Sequence, residues 1–230
     1  MQDLKITGEG TFFPMFPTPV GSFKDDNFES RKNEILKICN DERNNDSKGN
    51  MRSNRVGWQS DYEWFFRDDN KSFYDYLHKM IESLFYESFD HRGELSFTIH
   101  NCWININPPG AYNLPHTHPG CDYTGVLYVN LPINEDEDET APIVLDSPHS
   151  HAHGITYGMY SERLVLKHGI YAEIELYPSE GTILIFPSSL RHMVETNKSK
   201  EERVSIAFNI AVTNYGKLGK TNSKRGKIKC

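Results

Sequence analysis

The second half of the chain opens with LSFTIHNCWININ at residues 95–107 and continues with TGVLYVNLP at residues 124–132. Further segments of the same kind follow: PIVLD (142–146), YAEIELYP (171–178), GTILIFPS (181–188) and RVSIAFNIAV (203–212). Each segment is short, rich in β-branched or aromatic residues, and bounded by Gly, Pro, Asn or Ser. Such runs without helical spacers are typical of antiparallel all-β structure. The pattern predicts a β-sandwich or jelly roll here.

The first half of the chain has a different pattern. Residues 10–20, GTFFPMFPTPV, predict an opening edge strand, because proline cannot donate to a central strand ladder. Apolar residues near helical spacing predict one helix over about 22–41 and a second over about 70–90. The Asn-rich segment 40–58 between them predicts a loop. We therefore expect an all-β core with N-terminal helices, an α+β arrangement.

These patterns divide the chain into three parts. Residues 1–95 form an N-terminal strand and helical support, and residues 96–213 form the β core, with both parts in one domain. Residues 214–230 are a basic tail that we expect to be disordered. The acidic run INEDEDET at 133–140 predicts a solvated hairpin loop.

Composition narrows the class of protein. The 230 residues include 37% hydrophobic and 12% aromatic residues, which indicates a folded chain. The net charge of −7 argues against a nucleic-acid partner held by bulk charge. The four cysteines form no CxxC pair and predict free thiols in a reducing compartment, the cytoplasm. We see no signal-peptide pattern and no membrane-length apolar run, and the oligomeric state, a dimer included, stays open.

Among ten histidines, His116 and His118 have a spacing that suits a metal ion. Side chains at i and i+2 of an extended segment point the same way, about 6.5–7 Å apart at Cα, so two imidazoles can converge on one ion. Two surface histidines would show the same spacing. His149, His151 and His153 form a tract in a Pro/Ser/Gly loop, which we interpret as an adventitious or substrate-side loop.

His192 strengthens the metal hypothesis. It follows the apolar strand ILIF, which ends before Pro187, and the turn after that strand can bring the imidazole back to the histidine pair. One pair of imidazoles on an extended segment and a third from a distant segment can make a facial ligand set. Imidazole suits Fe, Zn, Cu and Ni alike, so the ligand type alone does not identify the metal.

Arg203 and Ser205 indicate the chemistry. They share one face of the predicted strand RVSIAFN, eleven residues beyond His192. A guanidinium binds a carboxylate through two parallel hydrogen bonds, and a serine can add a third. An Arg-x-Ser pair beside a metal is suited to the far carboxylate of 2-oxoglutarate, whose keto-acid end would chelate iron.

Five blocks of this sequence together resemble the 2-oxoglutarate/Fe(II) oxygenases, and most closely a small bacterial and phage-encoded group with an HxHPG motif. The blocks are NCWININ (101–107), GAYNLPHTHPG (110–120), YTGVLYV (123–129), FPSSLRHMV (186–194) and RVSIAFN (203–209). The resemblance covers about residues 100–212. It implies a double-stranded β-helix, the cupin-like jelly roll. It also implies Fe(II), 2-oxoglutarate and O₂ as reactants, succinate and CO₂ as products, and the host cytoplasm if the protein is phage-encoded.

The third metal ligand stays open in the sequence. The wider superfamily uses two histidines and a carboxylate, with the acid two residues after the first histidine, where this chain has His118. Asp122 could supply the carboxylate instead, with one of His116 and His118 ligating. We expect the three-histidine set. Asn105, Asn107, Tyr112 and Asn113 are further candidates for binding the cosubstrate or the substrate. Capping of turns and strand ends is the alternative role for these asparagines.

Three function classes remain at this point. The first is a 2-oxoglutarate-dependent oxygenase, in particular a hydroxylase, acting on an unidentified small molecule or peptide. The second is a cupin-like three-histidine enzyme without 2-oxoglutarate, in which Arg203 would bind the substrate. The third is a metal-binding barrel without catalysis.

Overall fold

A computed structural model of the chain describes residues 17–88, 95–132, 141–148 and 171–215. The described part holds two helices, α1 (Glu29–Asn45) and α2 (Lys71–Ser88), and eleven strands. The strands are β1 (Gly21–Lys24), β2 (Asn54–Arg55), β3 (Trp58–Gln59), β4 (Leu95–Asn107), β5 (Tyr112–His116), β6 (Tyr123–Asn130), β7 (Ile143–Asp146), β8 (Glu173–Leu176), β9 (Thr182–Pro187), β10 (His192–Val194) and β11 (Arg203–Tyr215). Two 3₁₀ turns, Glu63–Phe66 and Asp68–Asn70, lead into α2.

The strands form two antiparallel sheets. One sheet has six strands in the order β1-β9-β6-β11-β4-β3, and the other has five in the order β2-β5-β10-β7-β8. Every strand pair between neighbours is antiparallel. The expected class, mostly antiparallel β structure with few helices, is confirmed.

The six-stranded sheet is buried on both faces. In β6, Leu127 and Val129 belong to the core cluster that includes the helices, whereas Val126 and Tyr128 belong to a second cluster. This second cluster also contains Ile143 of the five-stranded sheet, so it lies between the two sheets. A strand buried on both faces has no polar alternation, which explains the continuous apolar run at 124–132.

The helices cover the outer face of this sheet. Six apolar side chains of α2 recur at steps of three and four residues and are buried: Phe73, Leu77, Met80, Ile81, Leu84 and Phe85. Tyr76, at the same spacing, is half-buried. From α1, Ile35 and Cys39 join the same cluster. Helix α2 was therefore predictable from its amphipathic pattern.

Strands β4 and β11 carry polar residues on the inner face of the six-stranded sheet. They pair along their whole lengths, with Arg203 opposite Asn107 and Ser205 opposite Asn105. Their alternate residues, such as Ile104, lie in the helix-side core. Because strand side chains alternate between faces, the isoleucines and valines of these two strands pack toward the helices, whereas their polar residues point between the sheets.

Several predicted boundaries in the N-terminal half were wrong. The expected helix over 22–41 begins only at Glu29, because residues 21–24 form strand β1 and pair with β9. Of the expected edge strand at 10–20, residues 17–20 have no regular structure and residues 10–16 lie outside the described part. The expected loop at 40–58 contains the end of α1 and the short strand β2, which pairs with β5.

Other expectations concern residues that the structure describes only in part. The acidic run at 133–140, the His149–His153 tract and residues 216–230 of the basic tail lie outside the described residues. Strand β11 continues to Tyr215, two residues past the expected end of the β core. Cys39, Cys102 and Cys121 are free thiols. Within the described ranges, no helix is long and apolar enough to cross a membrane.

Gly125 lets β6, β9 and β11 pack closely. It pairs with Phe208 of β11, and a Cβ at this position would lie 2.6 Å from two carbons of the Phe208 ring and 2.7 Å from the Leu184 carbonyl oxygen. We expect Gly125→Ala to lower the free energy of unfolding by about 1–3 kcal/mol, the usual cost of overpacking. Chemical denaturation measures this loss.

A double-mutant cycle with Phe208→Leu supplies the control. The smaller side chain leaves room for the new methyl group, so the two changes together should cost less than the sum of the single changes. Additive losses would contradict the close contact.

Candidate active site

Pairing of β5 with β10 brings the distant histidine to the histidine pair. His192 is the first residue of β10 and lies directly opposite His116, the last residue of β5. His118 lies two residues beyond the end of β5, and its backbone N–H donates to the Ser188 carbonyl at 2.9 Å. One ring nitrogen from each of the three histidines lies within 4.8 Å of the others.

Backbone carbonyls set the tautomers of two of these rings. His116 Nδ1 lies 2.7 Å from the Leu114 carbonyl oxygen, and His192 Nδ1 lies 3.0 Å from the Leu190 carbonyl oxygen. A carbonyl oxygen only accepts, so each neutral ring donates from Nδ1 and keeps its lone pair on Nε2. This is how proteins usually orient histidines that bind metals.

His118 is positioned by aromatic contact. The His118 ring stacks on Trp103, with ring centroids 5.5 Å apart. Tyr62 packs edge-on against Trp103, with ring centroids 5.7 Å apart. Trp103 comes from β4 and is only 7% exposed. The stack holds the His118 ring against the other two imidazoles.

The nitrogen spacing fits a metal ion. His118 Nε2 and His192 Nε2 lie 3.3 Å apart. Imidazole–metal bonds of about 2.0–2.1 Å, at tetrahedral or octahedral angles, separate two ligand nitrogens by about 2.8–3.4 Å. The donor set is therefore compatible with one ion bound by three neutral imidazoles.

Burial keeps the three rings neutral. Desolvation lowers the pKa of His116, while desolvation and the neighbouring imidazoles lower the pKa of His118 to about 3 and that of His192 to about 4. Neutral imidazole is the form that binds metals, so the lone pairs stay available well into acidic solution.

A buried arginine lies on the same inner face. Arg203 is 2% exposed, and one of its terminal nitrogens donates to Ser205 Oγ at 3.2 Å. Its Nε is buried without a hydrogen-bond partner. No ion pair within the described ranges involves Arg203, so its positive charge faces the pocket unpaired.

Tyr128 of β6 packs under this arginine. The Arg203 guanidinium lies 5.2 Å from the centre of the Tyr128 ring, and the Tyr128 hydroxyl is buried without a partner. Burial raises the pKa of Tyr128, so the hydroxyl keeps its proton and remains a donor. The unsatisfied donors of Arg203 and Tyr128, two residues that line the same pocket, predict that an anionic acceptor binds to them.

These groups line one pocket with an empty volume of about 480 Å³, its open mouth included. Besides the three histidines, Arg203 and Ser205, the lining residues are Ser53, Trp103, Asn105, Asn113, Thr124, Gly125, Val126, Tyr128, Ile143, Phe186, Val194 and Ala207. The pocket thus joins a three-imidazole cluster to a buried, unpaired cation.

Residues 101–209 match the family model described as "Putative 2OG-Fe(II) oxygenase". This range contains the three histidines, Arg203 and Ser205. Residues 101–209 are a 2OG-Fe(II) oxygenase domain. The protein is an oxygenase that uses Fe(II), 2-oxoglutarate and O₂. No curated protein sequence is significantly similar to the whole chain.

Solved structures of other oxygenases share the fold. A prolyl hydroxylase of Trichoplax adhaerens, in complex with a hypoxia inducible factor peptide, superposes with a TM-score of 0.57 at 16% identity, covering 86% of this chain and 87% of that one. The non-haem α-ketoglutarate-dependent carbocyclase SnoK of nogalamycin biosynthesis superposes with a TM-score of 0.58 at 12% identity, covering 84% and 79%. The epimerase SnoN of the same biosynthesis has a TM-score of 0.56 at 12% identity, covering 83% and 78%.

The oxygenase brings most of the predicted site residues together. Asn113 lines the pocket, and Asn107 lies behind it with Nδ2 donating to Asn113 Oδ1 at 3.1 Å. Tyr112 is not among the lining residues. Asp122, the alternative metal ligand, instead accepts a hydrogen bond from the Val212 backbone N–H at 2.8 Å through Oδ2.

Sequence reasoning missed three polar residues that line the pocket of the oxygenase, Ser53, Thr124 and Tyr128, as well as its apolar lining. Thr124 and Tyr128 were within reach, since strand alternation from Val126 places both of them on the pocket face. Ser53 belongs to the Asn-rich segment that was expected to be a loop, and no periodicity identifies it.

The low pKa of His192 predicts a pH-dependent stability of the metal-free oxygenase. In the unfolded chain His192 titrates near 6.5, and in the folded protein near 4. The unfolded state therefore binds more protons between these values. The contribution of the neutral His192 ring to the free energy of unfolding is complete above about pH 6.5 and is lost as the pH falls toward 4.

We expect His192→Gln to flatten the fall in unfolding free energy between pH 6.5 and 5 by roughly 1 kcal/mol per pH unit. Denaturant titrations of the metal-stripped protein at several pH values measure this slope. His100→Gln, at an exposed position of β4, is the control and should leave the slope unchanged. Equal slopes for His192→Gln and the parent would contradict a buried neutral ring.

Proposed function

We propose that this oxygenase holds Fe(II) through His116, His118 and His192 and binds the far carboxylate of 2-oxoglutarate through Arg203 and Ser205. The observation that carries the proposal is the buried, unpaired guanidinium of Arg203 in the same pocket as three inward-turned imidazoles. The strands within residues 96–213 would form a double-stranded β-helix around this pocket. Residues 1–95 would support it, and their strands β1, β2 and β3 extend the two sheets.

The ligand set is supported by the position of Asp122. Its carboxylate is engaged by the Val212 backbone N–H, whereas His118 Nε2 lies 3.3 Å from His192 Nε2. Three neutral imidazoles would leave the whole charge of the metal uncompensated. This extra positive charge favours a dianionic cosubstrate.

The cosubstrate assignment rests on donors without acceptors. Arg203 Nε and the Tyr128 hydroxyl are both buried and unsatisfied, and Ser205 Oγ already accepts from Arg203. A carboxylate would satisfy these groups with charge-assisted hydrogen bonds. Asn113 lines the same pocket and, with Asn107 behind it, would contact the cosubstrate or the substrate. Tyr112 does not line the pocket and takes no part in this assignment.

The bound Fe(II), 2-oxoglutarate and O₂ supply the oxidising chemistry, in which decarboxylation to succinate and CO₂ is coupled to oxidation of the substrate. The chain's own residues prepare the site. Carbonyls of Leu114 and Leu190 orient two imidazoles, and Trp103 holds the third. Phe186, 2% exposed and packed edge-on at 4.8 Å from the His192 ring, excludes water from one side.

We further propose hydroxylation of a small molecule or a peptide as the reaction. A peptide is bound to the prolyl hydroxylase of similar fold, and the two nogalamycin enzymes of similar fold are a carbocyclase and an epimerase. The three free thiols support a reducing, cytoplasmic setting. Succinate formation against a panel of peptides and metabolites would identify the substrate class.

The ligand set is tested by His118→Ala against Asp122→Asn. Anaerobic Fe(II) and 2-oxoglutarate should give a weak visible charge-transfer band in the parent protein. We expect His118→Ala to lose iron and the band, because one of three ligands is removed, and Asp122→Asn to keep both. Metal analysis with absorption spectroscopy measures this.

The opposite result, loss of iron only in Asp122→Asn, would make Asp122 a ligand. Iron bound without a band in the parent would favour a three-histidine enzyme that does not use 2-oxoglutarate. Failure of the parent to bind iron would favour a barrel without catalysis.

The cosubstrate role is tested at Arg203. Loss of a charged hydrogen-bond pair should raise the KM for 2-oxoglutarate in Arg203→Ala by about 10- to 100-fold. Arg203→Lys keeps the charge but loses the planar pair of donors, so its KM for 2-oxoglutarate should lie between those of the parent and Arg203→Ala. Succinate release in a titration of 2-oxoglutarate measures the effect.

Arg191→Ala is the matched control. Arg191 is next to His192 in sequence, but it is largely exposed, pairs with Asp146 and does not line the pocket. Its KM for 2-oxoglutarate should equal that of the parent. An unchanged KM in a folded Arg203→Ala protein, checked by thermal unfolding, would overturn the assignment.

A further inference from the structure

We infer that Ser53 is an additional hydrogen-bond donor of the active site, and that its hydroxyl donates to an oxygen atom bound to the metal beside His116. This inference rests on the proposed metal set. Ser53 lies outside residues 101–209, the range that matches the oxygenase family. It would give the N-terminal segment a direct part in the site.

The backbone places Ser53 against the metal side of His116. The Leu114 N–H donates to the Ser53 carbonyl at 2.9 Å, and the next residue, Asn54, pairs with Asn113 of β5. Ser53 Oγ lies 3.5 Å from His116 Nε2 and lines the pocket. The contact is therefore to the nitrogen that carries the lone pair and not to Nδ1, which faces Leu114.

Hydrogen bonds of the neighbouring Asn54 side chain hold the segment around Ser53 in place. Asn54 is 2% exposed, its Nδ2 donates to the carbonyls of Asn50 and Gly57, and its Oδ1 accepts from the Arg52 N–H at 2.7 Å. These three bonds fix the turn on both sides of Ser53. The hydroxyl is thus held in the pocket before any ligand arrives.

A chain of amides sets the direction of the Ser53 hydrogen bond. Asn107 Nδ2 donates to Asn113 Oδ1 at 3.1 Å, and Asn113 Nδ2 donates to Ser53 Oγ at 3.2 Å. An amide N–H only donates, so Ser53 Oγ accepts at this end and its own proton is directed elsewhere. The acceptor within reach is His116 Nε2.

That acceptor would be lost when a metal ion binds. His116 donates from Nδ1 to Leu114, so its only free lone pair, on Nε2, would go to the ion. The Ser53 hydroxyl would then have no acceptor within the protein, which is costly for a partly buried donor. Oxygen atoms of 2-oxoglutarate or of a metal-bound water are the acceptors that the proposed chemistry places there.

If Ser53 changes its acceptor in this way, Ser53→Ala should affect metal binding and 2-oxoglutarate binding differently. In the metal-free protein Ser53 competes for the His116 lone pair, so Ser53→Ala should bind Co(II) alone as tightly as the parent or more tightly. With Co(II) bound, the missing hydroxyl should weaken 2-oxoglutarate binding by about 10-fold, the usual effect of one lost hydrogen bond to a charged group. A structural defect would weaken both.

The experiment uses full-length protein loaded with Co(II), which requires no turnover. Calorimetry gives the affinities for Co(II) and for 2-oxoglutarate, and the visible Co(II) spectrum reports the ligand environment. Ser53→Thr keeps the hydroxyl and should restore parent affinities. Ser60→Ala is the control, because Ser60 is a buried hydroxyl that binds backbone groups of Asp61 and Ile104 outside the pocket.

Weaker 2-oxoglutarate binding with retained Co(II) binding supports the inference and assigns the acceptor to the cosubstrate. A changed Co(II) spectrum without 2-oxoglutarate, with unchanged cosubstrate affinity, supports it with metal-bound water as the acceptor. Unchanged affinities and spectrum in Ser53→Ala, or equal losses in Ser53→Ala and Ser60→Ala, overturn it. Failure of the parent to bind Co(II) or 2-oxoglutarate would instead count against the proposed function.

Discussion

The pairing of β5 with β10 is the constraint on which the rest of the site depends. It sets His192 directly opposite His116, although the two residues are far apart in sequence. In each case the carbonyl two residues earlier orients the ring through Nδ1, from Leu114 or Leu190. Backbone geometry therefore directs two Nε2 lone pairs to one point, and less side-chain freedom remains to be lost when an ion binds.

Strand alternation separates stability from function in the six-stranded sheet. On one face, residues such as Ile104 and Ile206 pack against the helices in a continuous apolar core. On the other face, the same strands carry Asn105, Arg203 and Ser205 into the pocket. Burying an unpaired guanidinium costs several kcal/mol, and the helix-side core offsets this cost. The unsatisfied donors of Arg203 and Tyr128 are thus the mark of a binding site within an otherwise apolar fold.

The N-terminal half is part of the site as well as its support. Strands β2 and β3 extend the two sheets, one on each, and Tyr62 packs on the tryptophan that holds His118. Ser53 enters the pocket from the same half. The match to the oxygenase family model at 101–209 therefore covers the three histidines, Arg203 and Ser205, whereas the N-terminal half completes the pocket walls around them.

The sequence by itself determined the features with a local signal. Short β-branched and aromatic runs marked the strands, the steps of three and four marked α2, and alternation placed Arg203 and Ser205 on one face. The same alternation rule would have added Tyr128. The five sequence blocks pointed to the oxygenase domain, because the three histidines, Arg203 and Ser205 lie inside them.

Only the tertiary structure decided what depends on contacts between distant segments. Residues 21–24 form a strand because β9 pairs with them. His118 lies beyond the end of β5, so its position comes from Ser188 and Trp103 and not from strand alternation. Asp122 turns to Val212, and Ser53 reaches His116 through β2. Periodicity reports which face of an element a residue occupies, whereas register and loop packing decide what that face meets.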